Sequence, residues 1–385
     1  MILLRILIRN AFRNRLRTGL TILGITIAIL AFGLLRTVVS AWYAGVAASS
    51  ATRLVTRNAV SLIFPLPLAY KDKIRQVDGV SHVSWGNWFG GIYISEKNFF
   101  ANFCVDPRSY LALYPEYILS DRDRKAFLSD RKGFIAGRKL ADRFGWKPGD
   151  TVTLKGVIFP GNWDFVLRGV YRGRDRTIDE TQFLFQWDYL NETVRQRYPS
   201  RADQVGFYMI GVASPERAAD VAGSIDRLFK NSLAETLTET EKAFQLGFIA
   251  MTEAIVMAIQ LVSIVIIVII MAVVANTMAM TTRERIGDYA ILKTLGFGGR
   301  QIALLIFGEA LVITGIGAAI GMALTYPAAR AFGSTLSNFF PVFNVARETL
   351  WLDLGAALVV AVAAAVIPTQ RAIGIRIADG LRRIG

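Results

Sequence analysis

Residues 254–282 form a run of 29 positions without a single Asp, Glu, Lys or Arg. A helix of that composition has no face to offer to water, and about 20 apolar residues are enough to cross the hydrocarbon of a bilayer. Three further runs behave alike. The first covers residues 18 to about 40 and is interrupted only by Arg36; another, 301–329, carries only Glu309; the shortest, 354–370, has 17 uncharged residues. Hydrophobic residues make up 53% of the chain, above the share usual in soluble domains. The pattern specifies a membrane protein with four transmembrane helices. About 200 residues of mixed composition lie between the first two runs. They need a folded domain of their own outside the bilayer.

The basic residues fix an orientation. Arg5, Arg9, Arg13, Arg15 and Arg17 precede the first run; Arg283, Arg285, Lys293 and Arg300 lie between the second and third; Arg371, Arg376, Arg382 and Arg383 follow the fourth. Only Glu284, Asp288 and Asp379 oppose them on that side. Lys and Arg accumulate on the cytoplasmic side of membrane proteins, so both termini and the second connection are expected in the cytoplasm. Trp42, Tyr43, Tyr326 and Trp351 fall at the opposite interface, where aromatic side chains anchor. The large domain is therefore expected outside. The net charge of +14 follows this topology and needs no nucleic acid to explain it.

Arg5, Arg9, Arg13 and Arg17 recur every fourth residue and form one stripe of a helix. Such a helix can lie in the inner interface with its arginines toward anionic headgroups, or simply extend the first span. A cleaved signal peptide is the competing reading, but its removal would leave three spans and put the termini on opposite sides. In the 47 residues of 236–282 there is no proline and one glycine, Gly247. That stretch reads as a continuous helix of about 70 Å, more than twice the bilayer core. Its first part, with Glu235, Glu239, Glu241 and Lys242, is expected to stand clear of the membrane as a stalk.

Chemistry-bearing residues are sparse. One cysteine, Cys104, and one histidine, His82, exclude a disulfide framework and any multi-His or multi-Cys metal site. No Gly-Lys pair occurs, so the loop that cradles nucleotide phosphates is absent. Within the third run, Glu309 lies about 13 Å past Arg300, where a carboxylate is costly and faces protein. Asn276 or a backbone group is its expected partner, with proton relay as the sharper alternative. Gly317 and Gly321 have the small-xxx-small spacing of closely packed spans, within the chain or across a dimer. Between the second and third runs, Arg283–Phe297 is a short mixed-charge helix. Ile286, Tyr289, Leu292 and Leu295 recur at spacing three before Gly296, Gly298 and Gly299 end it.

The stretch NTMAMTTRERIGDYAILKTLGFGGRQIALLIFGEALVITGIGAAIG resembles the second-to-third span region of ABC transporter permeases of the MacB and FtsX type. AFRNRLRTGLTILGITIAI resembles the lead into that family's first span. GFIAGRKLADRFGWKPGDTVTL with FVLRGVYRG resembles its periplasmic domain, and IPTQRAIGIRIADGLR its exit tail. The resemblance covers nearly the whole chain in order. It implies an α-helical membrane protein with a large α+β periplasmic domain inserted between helices 1 and 2, at a bacterial inner membrane. The expected organisation is an amphipathic cytoplasmic helix over 1–17, spans over 18–41, 246–282, 301–330 and 351–370, a periplasmic domain with stalk over 42–245, a coupling helix over 283–300, a short outer loop over 331–350 and a cytoplasmic tail over 371–385.

In such permeases the helix after the second span docks onto a cytoplasmic ATPase and the outer domain moves when the ATPases pair. Carried over position by position, Arg285, Ile286, Gly287, Ala290, Ile291, Leu292, Lys293, Leu295 and Gly296 are the implied contact set. Asp288 and Tyr289 depart from the family pattern. The resemblance further implies a separate ATPase subunit holding ATP and Mg, no cofactor bound by this chain, a second permease copy or paralogue in a dimer, and a periplasmic membrane-fusion adaptor. Export of a hydrophobic or amphipathic substrate is the leading expectation. A transmembrane signal transmitter regulating a cell-wall hydrolase, as in FtsX-type proteins, is the alternative, and a membrane-anchored enzyme is disfavoured by the missing catalytic constellation.

Overall fold

The structure is a computed structural model that describes residues 11–175, 177–250, 252–335, 340 and 342–375. It divides into two units, one of long helices and one spanning mainly Trp42–Thr252. Four helices, Arg15–Trp42, Glu253–Glu284, Gly299–Thr335 and Arg347–Gly374, are long and apolar enough to cross a membrane; they are the first to fourth spans below. Their shared core is made of Ile25, Ile29, Val274, Ile306, Ala310, Val360 and Ala364, where small residues let backbones come close. The second span buries only a narrow stripe, Val256, Ser263, Ile270, Val274, Met278 and Thr282. Ile266, Ile267, Met271 and Ala275 are half-buried against the same core, and most of the span's remaining surface is exposed.

The large α/β domain between the first and second spans is built on one mixed sheet of 11 strands. Strand β1 (Arg53–Asn58) lies between β12 (Phe207–Val212) and β13 (Thr236–Thr240), antiparallel to both. The sheet continues from β12 through β3 (Val80–Trp88), β5 (Asn102–Val105), β10 (Phe183–Gln186), β7 (Gly133–Gly137), β9 (Gly161–Gly173) and β8 (Thr151–Gly156) to β4 (Gly91–Ile92). The β5–β10 and β7–β9 pairs are parallel. Strands β7 and β10 are buried on both faces, and the period of two sends Phe134, Ala136, Phe183 and Phe185 into one core and Ile135 and Leu184 into the other. Trp85 and Phe89 are part of the first of these cores, and the Trp88 side chain is partly exposed.

Three sequence expectations change here. Thr236–Thr240 is a strand, not the start of a stalk: Thr236, Thr238 and Thr240 alternate along it, and β-branched residues favour a pleated, half-buried site over a helix. The helix that follows, Glu241–Ala250, is separate from the second span, which begins at Glu253. No continuous 47-residue rod exists. The third change is at the fourth span, which extends back to Arg347 and takes in Asp353.

In place of a rod, the two legs of the domain are joined to each other. Strand β1, next after the first span, is hydrogen-bonded along its length to β13, which leads toward the second span. Arg53 Nε bonds Glu241 Oε2 at 2.8 Å and Arg57 Nε bonds Glu239 Oε1 at 3.3 Å. Trp42 Nε1 donates to Thr252 Oγ1 at 2.8 Å. Burial drives Tyr114 well above its ordinary range, with Tyr110 and Glu241 adding to the effect, so the phenol that donates to Glu241 Oε1 stays neutral. Arg53 also bonds Glu116 at 2.7 Å and lies 4.2 Å over the Tyr114 ring, which satisfies a charge that would otherwise be buried alone.

Candidate functional site

The connection between the second and third spans is the helix Ile286–Thr294. Arg285 precedes it with non-helical backbone, so the second span ends and a new helix starts within one residue. At its other end Gly296 has φ +92°, a conformation that disfavours any side chain. Gly296 N–H donates to Lys293 O and Phe297 N–H to Leu292 O, at 3.1 and 3.0 Å, which is the paired closure of a Schellman motif. The third span then opens with Gln301 Oε1 accepting from Gly298 N–H at 2.7 Å, the return half of a capping box. LGFGGRQ is thus a helix stop followed by a helix start.

Side chains fasten this helix to three spans. Arg285 Nη1 lies 2.7 Å from Glu309 Oε2 of the third span, with both side chains less than a tenth exposed. Lys293 Nζ donates to the carbonyls of Ile373 and Ile375 at 2.7 Å each, covering acceptors that the end of the fourth span leaves open. Two arginines of the first-span end close the set: Arg17 grips Glu284 bidentately at 2.7 and 2.9 Å, and Arg13 bonds Asp288 at 2.8 Å. Tyr289 is buried beside this cluster; burial, reinforced by the Glu309 charge, pushes its phenol up to about 12. The departure at Asp288 therefore has a partner within the chain.

The structure separates the implied contact set into two groups. Arg285 and Ala290 are buried, and Lys293 is occupied by the fourth span, so these hold the helix in place. Ile286, Gly287 and Leu292 are half-buried. Ile291, Leu295 and Gly296 are exposed, together with Phe297, which sequence reasoning left out; Leu295 is 71% exposed. Glu309 does not pair with Asn276: Asn276 is exposed on the second span, and the Arg285 guanidinium, available from the next turn of chain, is the stronger partner for a carboxylate.

Gly317 and Gly321 pack inside the chain. A Cβ on Gly317 would come within 2.7 Å of Ile25, and one on Gly321 within 2.9 Å of Ile29, so both glycines seat the first span on the third. Thr26 Oγ1 donates to Gly317 O at 3.2 Å across that contact. The alternative of a contact across a dimer is replaced by this internal one. Of the arginine stripe, Arg5 and Arg9 lie outside the described residues; Arg13 and Arg17 face Asp288 and Glu284, not headgroups. Arg376, Arg382 and Arg383 of the tail, and Arg176, also lie outside the described residues.

The described chain thus has four long apolar helices, a folded domain inserted after the first and a short helix after the second. The family model of the FtsX-like permease C-terminal region matches residues 260–377, from within the second span past the end of the fourth. Over that stretch the chain is similar to FtsX-like permeases. A search of curated proteins finds no match. Among solved structures, the extracellular domain of the ABC-type transporter YknZ from Gram-positive bacteria is similar at 12% identity and TM-score 0.36, covering 49% of this chain and 100% of that one. A domain assigned to a permease protein of Porphyromonas gingivalis is similar at 13% identity and TM-score 0.32, covering 49% of this chain and 88% of that one.

Proposed function

We propose that this chain is the permease subunit of an ABC transporter, in which a separate cytoplasmic ATPase holds ATP and Mg and acts on the helix Ile286–Thr294. The observation that carries the reading is the division of labour along that helix. Its inner face is fixed to the first, third and fourth spans by Arg13, Arg17, Glu309 and the carbonyls of Ile373 and Ile375. Its outer rim leaves Ile291, Leu295 and Phe297 uncovered. A partner that pushes on the rim moves three spans together, because the ion pair and the caps leave the helix no independent freedom.

The Lys and Arg distribution supports a cytoplasmic position for this helix and an outer position for the large domain. The joined legs of that domain support transmission: strands β1 and β13 cannot shift apart without breaking their ladder, so the pair moves as one. The uncovered surface of the second span supports a second permease copy beside it. Export of a hydrophobic or amphipathic substrate, with a periplasmic adaptor, is favoured over signalling to a cell-wall hydrolase by the size of the outer domain.

Co-expression with a candidate cytoplasmic ATPase subunit tests the coupling. Leu295→Asp is expected to abolish stimulation of ATP hydrolysis while the permease still inserts. Undiminished stimulation refutes the coupling role. A lipid or small molecule retained by the purified complex supports export, whereas a peptidoglycan hydrolase in its place supports signalling.

A further inference from the structure

Asp353 lies in the second turn of the fourth span with no exposed surface, and neither of its carboxylate oxygens has a hydrogen-bond partner. It packs against the backbone of Gly33 on the first span: a Cβ placed there would lie 3.1 Å from Asp353 Oδ2 and 3.0 Å from Thr325 Oγ1 of the third span, closer than side chains normally approach. A carboxylate, a hydroxyl and a glycine backbone from three spans are thus packed together.

The hydroxyl hydrogens around it are already committed. Thr325 Oγ1 donates to Gly321 O at 2.9 Å, and Thr37 Oγ1, one turn along the first span, donates to Gly33 O at 2.7 Å. Thr325 Oγ1 therefore has no hydrogen left to give Asp353. A carboxylate buried in hydrocarbon among acceptors is costly unless a positive charge completes the set.

Among the described residues no side chain supplies that charge. The nearest charged residues in sequence are Arg36 on the first span, Arg330 on the third, and Arg347 and Glu348 on the fourth; the third also carries the Tyr326 phenol. The second span, which packs on the fourth, offers only Glu253 at its start. None of them bonds Asp353.

We propose that Asp353, with Thr325 beside the backbone of Gly33, binds a small monocation, a proton or a sodium ion, that is held while the first, third and fourth spans are packed together and is released when they part. Only a small ion fits, since Thr325 and Asp353 already close to within 3.0–3.2 Å of where a Cβ of Gly33 would lie. A ligand that binds the packed arrangement alone stabilises it by mass action, so occupancy reads out as thermal stability without any partner protein. The site is independent of the coupling helix, and its failure leaves that reading untouched.

The test is thermal unfolding of the purified chain in lipid nanodiscs from about pH 5 to about pH 9 in potassium buffer, repeated with sodium added. If the ion is a proton, the melting temperature of the wild type falls as pH rises and that of Asp353→Asn does not, with no effect of sodium. If it is sodium, sodium raises the melting temperature at high pH in the wild type only. Identical pH and sodium responses in wild type and Asp353→Asn overturn the proposal. Thr325→Val keeps the acid and removes one ligand: a displaced midpoint of the response is expected, and an unchanged one overturns the proposal even where Asp353→Asn does not accumulate.

Discussion

Glu309 and Asp353 are both carboxylates buried in the helical unit, and their surroundings could hardly differ more. Glu309 has the Arg285 guanidinium at 2.7 Å; Asp353 has no partner at all. Along the fourth span, Asp353 is about 30 Å from Ile373, whose carbonyl meets Lys293 of the connecting helix. The Arg285–Glu309 pair is closed within the chain, and a site further along leaves a charge open. A closed pair fixes geometry whatever the conditions, whereas an open charge makes geometry depend on what binds it. That contrast matches a machine driven at the fixed end and free to change at the other.

The largest effect is expected from opening the closed pair. Glu309→Ala leaves Arg285 buried and alone, a change that costs about 3–5 kcal/mol, enough to remove most folded protein from a detergent extract. Replacing both partners, Arg285→Met with Glu309→Leu, is expected to recover folding but to lose tight control of the connecting helix, read as reduced ATPase stimulation at normal yield. Recovery by the double variant with full stimulation would mean that the pair only fills space. A smaller effect is expected from Gly317→Leu, which forces the third span off Ile25 and costs about 1–3 kcal/mol, measured as a lowered melting temperature. The smallest is expected from Lys293→Ala, which uncovers two carbonyls at a largely solvated helix end and costs about 0.5–1.5 kcal/mol. A loss as large as that of Glu309→Ala would show that the fixed end depends on the fourth span as much as on the third.

The difference between these sites also explains what could be read from sequence. Runs without charge give the spans directly, since hydrocarbon thickness sets their length. Glu309 stood out as the one acid in such a run, but Arg285 lies 24 residues earlier across a helix and a turn, a pairing that spacing rules for a single helix do not reach. Asp353 was missed for the opposite reason. The fourth span was read over 351–370 with its uncharged run starting only at 354, so Asp353 fell at its edge and was not singled out, although Leu350, Trp351 and Leu352 before it carry the apolar signal on. In the outer domain, strands rich in aromatic and β-branched residues such as β9 and β10 were legible, while β13 was not. Freedom from proline was read there as helix, and the alternating threonines of TLTET, which pair with β1, were the signal that outweighed it.

The residues proposed for coupling divide in the same way. Periodicity and the family pattern pick out the helix; only packing tells Ala290, with no exposed surface, from Leu295, at 71%. Phe297 was overlooked because it follows the glycine stop, where a helical pattern no longer applies.

The account rests on the rim of the connecting helix and the large domain lying on opposite sides of one membrane. The most direct measurement is labelling of single cysteines by a membrane-impermeant maleimide in spheroplasts, with Leu295→Cys reporting the rim and Ile63→Cys, at an 88% exposed position, reporting the domain. The native Cys104 is buried and stays silent. Labelling of Ile63→Cys in intact spheroplasts, with Leu295→Cys reacting only after permeabilisation, is the expected result. Reaction of Leu295→Cys in intact spheroplasts, or protection of Ile63→Cys until they are opened, contradicts it.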